Sequence, residues 1–156
     1  MSADTPTSET LARAISLIRD SLDADGDQTS IALSGLVGGA TGYALARLIE
    51  ASERTLVVIV PDGLRAALLA DSIGAFLGRP DAAIAFPAFD HLPFQGMSPP
   101  HRVVAERMGL LARLSLGAPP DALVVPAGAL LDRVPAREVI AANCIRLDVG
   151  RELPRE

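Results

Sequence analysis

Five consecutive aliphatic residues, Leu56-Val-Val-Ile-Val60, stand between Thr55 and Pro61. Most are β-branched, which suits a pleated strand, and Pro61 lacks the N–H needed to extend a ladder. A strand apolar at every position expects both faces to be buried, as in a parallel sheet covered by helices. This run therefore commits the chain to an α/β architecture.

The flanking segments fit that architecture. Asp62 is placed to cap a helix whose apolar face is Leu64, Ala67, Leu68 and Ile73, ending at Gly78-Arg-Pro80. Ala82–Phe86 reads as a weaker strand and Ala122–Val125 as another buried one. Between them lies a long helix, Pro100–Ser115, on Val104, Met108, Leu111 and Ser115, widened by Val103, Leu110 and Leu114. Short helices are expected near Gly128–Asp132 and Ala136–Ala141, and Ile145–Val149 has the alternation of a further strand. At the other end, Thr5-Pro6 opens a helix on Leu11, Ala14, Ile15, Ile18 and Leu22. Ser30-Ile-Ala-Leu33 then reads as a short strand, Gly35–Gly42 as a glycine-rich turn, and Ala44, Leu45, Leu48 and Ile49 as a helix face. Alternating strands and helices predict an open, mainly parallel sheet with helices on both faces and right-handed crossovers. The expected division is an N-terminal helix and acidic linker over 1–28, an α/β domain over 29–142, and the start of a following module over 143–156.

With 156 residues, 49% of them apolar, the chain has the means to build one core. Aromatic residues are 3% and Trp is absent, which leaves few stacking platforms for single-stranded nucleic acid. The net charge is −5; residues 1–78 carry five Arg against ten acids, and residues 79–156 carry nine of each. Neither half offers the positive surface that autonomous DNA binding requires. All fourteen basic residues are Arg. The polar, acidic start Met1–Glu9 is unlike a signal peptide, and no apolar run is long enough for a membrane span, so a cytoplasmic location is expected.

The glycine-rich turn carries the sharpest chemical question. A working phosphate loop reads G-x-x-x-x-G-K-[ST]: backbone N–H groups cradle phosphates, the Lys neutralises them, and the hydroxyl binds Mg²⁺. Here the register is Gly35-Leu-Val-Gly38-Gly39-Ala40-Thr41-Gly42. Ala40 stands at the second motif glycine, Thr41 at the lysine and Gly42 at the hydroxyl, so the groups that handle charge and metal are missing. No carboxylate closes Leu123-Val-Val-Pro126 to hold a metal, and Asp62 is equally explained as a helix cap. Hydrolysis is not expected. Weak anion attraction by a helix N-terminus leaves a phosphate- or nucleotide-binding regulatory domain as the alternative reading.

Other chemistry-bearing residues lack a constellation. His91 and His101 have no Cys or carboxylate partners at ligand spacing, so no metal site is expected. Cys144 stands alone and reads as an inert, packed thiol. Ser34, Ser98 and Ser115 sit in no nucleophile motif. On the long helix, Arg102 and Glu106 are spaced for a surface pair, and Arg107 and Arg113 fall by default on a solvated face. The segment Pro87–Pro99 has no period but carries Phe89, Leu92, Phe94 and Met97. Two readings stand for it: a cap sealing one end of the sheet, or an exposed docking patch for a partner.

At Phe86-Pro-Ala-Phe-Asp-His-Leu-Pro-Phe-Gln-Gly-Met-Ser-Pro99 the sequence resembles the N-terminal region of the bacterial transcription-repair coupling factors. Leu92-Pro93-Phe94, Ser98-Pro99, Glu106-Arg107 and Leu123-Val-Val-Pro126 match, followed by Ala129-Leu-Leu131, Arg133, Pro135 and Ile145-x-Leu-x-Val-Gly150. Phe89 stands for the family's Trp, Phe94 for Tyr, Asp90 for Glu, and Gln95 for an acid. The resemblance runs from about residue 30 to the end and is carried by order and spacing.

It implies a non-catalytic, UvrB-like module with a degenerate phosphate loop, serving as scaffold and interaction unit in transcription-coupled nucleotide-excision repair. The full-length family member is implied to be an ATP-driven, helicase-like DNA translocase that displaces stalled RNA polymerase and recruits UvrA. ATP, Mg and DNA are then used by motor domains, and UvrA and polymerase contacts lie in downstream domains, beyond this stretch. The implied object is an N-terminal piece of such a protein, with no cofactor of its own and its partners in the remaining domains.

Overall fold

The computed structural model describes residues 8–23, 30–52, 54–89, 98–145 and 149–150. In chain order these form α1 (Ser8–Asp23), α2 (Ala40–Ala51), β1 (Leu56–Val60), α3 (Gly63–Leu77), β2 (Ala83–Ala85), α4 (His101–Ser115), β3 (Ala122–Pro126) and α5 (Arg137–Ala142). Single 3₁₀ turns, Pro80–Ala82 and Ala127–Leu131, precede β2 and follow β3.

The architecture is α/β with a small, open, all-parallel sheet in the order β1-β3-β2. Leu56 lies beside Ala122 and Val60 beside Pro126, while Ala83 and Ala85 flank Ala122 and Val124 from the other side. Alternate residues divide the two faces. Leu56, Val58, Val60, Ala83, Ala85, Ala122 and Val124 pack against Ile49 of α2 and Ala66, Ala70 and Ile73 of α3. Ile84, Leu123 and Val125 turn to the opposite face, where Leu110 and Leu111 of α4 meet them with Phe86 and Ala129. α1 packs on α2 through a stripe centred on buried Ile15, as its spacing anticipates.

β1 departs from the sequence expectation. Its burial alternates, and Val57 and Ile59 are 57% and 60% exposed. The second face carries α4 over β2 and β3; one helix, about 10 Å wide, spans about two strands spaced ~4.8 Å apart, so β1 stays uncovered there. Ser30–Leu33 is a second correction, because residues 30–37 form no strand and Ile31 and Leu33 are exposed. Three apolar residues are too short a run to tell a strand from a connection.

Two helix faces are rotated from their expected positions. α3 buries Ala66, Ala70, Ile73 and Gly74, leaving Leu64 and Leu68 outside. The smaller side chains turn inward and let the helix lie close on the sheet. Gly74 lies close to the turn that follows the helix: a Cβ there would stand 3.1 Å from Pro80 Cα and 3.2 Å from the Arg79 carbonyl. α4 centres its inner face on Arg107 and Leu110, with Val104 and Met108 partly exposed.

The local punctuation follows the sequence. The Asp62 carboxylate accepts from the Arg65 N–H at 2.8 Å, and Gly78 ends α3 with a left-handed φ of 64°. Asp62→Ala is expected to destabilise the fold by about 1 kcal/mol, measured by urea denaturation. Asp62→Asn, which keeps the acceptor, should retain most of that.

Candidate functional site

Both candidate regions gather at the carboxyl end of the parallel strands, where open α/β sheets place ligands and partners. The first is the glycine turn. Gly35 and Gly38 take positive φ values of 84° and 58°, and the Ala40 N–H closes a turn onto the Val37 carbonyl at 3.2 Å. α2 starts at Ala40, so Ala40, Thr41 and Gly42 lie in the helix's first turn. Gly38, Gly39 and Thr41 line a cleft of about 510 Å³ with Val60 and Pro61 at the end of β1, and Arg65, Leu68, Leu69 and Ser72 of α3.

Gly42 has a packing role that its place in the motif does not suggest. A Cβ at this position would stand 2.1 Å from Ser72 Oγ and 2.9 Å from Ser72 Cβ. The glycine permits close contact of α2 with α3. Gly39 lies beneath the Phe76 ring, 3.7 Å from where a Cβ would be, and Tyr43 meets Phe76 edge-on at 5.5 Å. Arg65 is the one cation lining the cleft among the described residues, and its guanidinium already lies 3.7 Å from Asp62.

The second region is built around Arg107, whose burial corrects its sequence placement on a solvated face. Only 4% of Arg107 is exposed. Its Nη1 donates to the Pro87 carbonyl at 2.9 Å and to Asp132 Oδ2 at 3.0 Å. The guanidinium carbon sits 4.7 Å from the Phe86 ring centre and 4.2 Å from that of Phe89. A buried cation is tolerated when it is both paired and hydrogen-bonded, and an aromatic face adds quadrupole attraction. This one side chain ties α4 to the segment leaving β2 and to the residue after the Ala127–Leu131 turn. It thereby clamps the first residues of the Pro87–Pro99 segment onto the end of the sheet.

Of the other motif residues, Glu106 is exposed and lies 3.5 Å from Arg102, the surface pair expected. Ser98 is exposed and Pro99 half-buried just ahead of α4, while Leu92, Pro93 and Phe94 lie outside the described residues, as does His91. Ala129 is buried and Leu130 and Leu131 project outward. Most of Ile145–Val149 is also outside the described residues, and Ile145 itself is exposed and not in a strand. Cys144 is half-buried with a free thiol. Among the described residues no His, Cys, Asp or Glu cluster is arranged to hold a metal, and no helix is long and apolar enough to cross a membrane.

Asp132 is the residue sequence reasoning missed, and the Arg107 clamp is the relation it missed. A signal was present: Val103, Arg107, Leu110 and Leu114 form an i, i+4, i+7, i+11 stripe, which places an arginine inside an apolar face. Nothing local marked Asp132 as its partner, since the two are 25 positions apart.

Among curated proteins, the chain is 35% identical over 127 residues to a transcription-repair-coupling factor from Myxococcus xanthus. The aligned stretch is 78% of this chain and 11% of that protein, so the chain spans about a tenth of its relative's length. No family model matches the chain, and no solved structure matches it.

Proposed function

Because the chain belongs to the transcription-repair-coupling factor family, we propose that it serves transcription-coupled nucleotide-excision repair as a non-catalytic scaffold and interaction module. The observation that carries this reading is the alignment over most of the chain. In this reading the module is UvrB-like, its phosphate loop is degenerate, and it works beside the motor domains of an ATP-driven DNA translocase that displaces stalled RNA polymerase and recruits UvrA. Arg107 then holds the Phe86–Phe89 segment, where the family motif begins, to the end of the sheet.

The chemistry of the glycine turn supports a module without catalysis. Thr41 supplies no positive charge where phosphate would need one, and Gly42 has no hydroxyl for Mg²⁺. The cleft's sole described cation, Arg65, is largely exposed and shared with Asp62. Inactivating the gene that encodes this chain should abolish the faster removal of ultraviolet lesions from transcribed strands, read by strand-specific repair assays. Unchanged strand preference would refute the assignment.

The cleft of about 510 Å³ beside Gly38, Gly39 and Thr41 favours a second reading, a regulatory phosphate- or nucleotide-binding domain. Titration with a fluorescent ATP analogue and Mg²⁺ separates the two. Scaffold function expects no saturable binding up to millimolar concentration, and micromolar saturation would favour the regulatory domain.

A further inference from the structure

No further inference is drawn: the strongest candidate, the pocket of about 450 Å³ at the amino ends of β2 and β3 lined by Arg79, Asp81, Arg113 and Asp121, carries none, because Arg79 is already paired with Asp121 and Arg113 already donates to the Ala118 carbonyl, and nothing among the described residues shows what would bind there.

Discussion

Replacing Arg107 with alanine is expected to lower the free energy of unfolding by about 3 kcal/mol, a large part of the roughly 5–15 kcal/mol available to a domain. The side chain is 5% exposed, so the guanidinium interacts almost wholly with protein groups. Its loss leaves the Pro87 carbonyl and Asp132 without their donor and opens space between Phe86 and Phe89. Asp132 is 24% exposed and regains some water, which keeps the estimate at the lower end of the range for a broken buried pair. Arg107→Lys should fall between, since an ammonium keeps the charge but cannot stack its plane on two rings or present a fork of donors. Arg102→Ala, on the same helix but 84% exposed, should change stability by less than about 0.5 kcal/mol. Urea denaturation of the three variants checks the order. A loss below about 1 kcal/mol for Arg107→Ala would mean that the clamp contributes little to the fold.

Rebuilding the phosphate motif should fail, and for a steric reason. Thr41→Lys with Gly42→Ser restores the two missing groups in sequence terms. Yet a Cβ at residue 42 would come within 2.9 Å of Ser72 Cβ and 2.1 Å of its hydroxyl. The hydroxyl can rotate away, but the Cβ contact obliges α2 and α3 to separate, at a cost of about 1–3 kcal/mol. The double variant is therefore expected to unfold at lower urea concentration and to show no saturable binding of a fluorescent ATP analogue. Adding Ser72→Gly should recover part of the stability by making room, still without binding. Micromolar nucleotide affinity in either variant would contradict this account of Gly42.

The order of elements was largely legible because it is written in short-range chemistry. The Leu56–Val60 run, the Asp62 cap, Gly78 in its left-handed turn and the α4 segment before Ser115 each depend on a few adjacent residues. What failed was the choice of face. α3 has apolar residues nearly all round, so its periodicity could not tell Leu64 and Leu68, which face out, from Ala66 and Ala70, which face in. β1 was uniformly apolar, and nothing within it revealed that Val57 and Ile59 would lie beyond the reach of α4. The candidate site was legible as motif positions but not as a construction. Arg107 was visible in the motif and Asp132 was not, because the link between them is made by packing across 25 positions.

By itself the sequence determined the class of fold, the capped and punctuated elements, and the family to which the chain belongs. It also determined that the glycine turn has no lysine and no hydroxyl in the places where a phosphate loop needs them. Tertiary structure alone decided that Gly42 serves the contact of two helices, that a cation sits inside the fold against two phenylalanines, and that Val57 and Ile59 of β1 are left exposed by the described residues. The physical reason is range. Capping, chain reversal and strand propensity are settled within about four residues, whereas burial depends on which distant element arrives to cover a surface, and a helix or strand apolar on every side has no preference until it does.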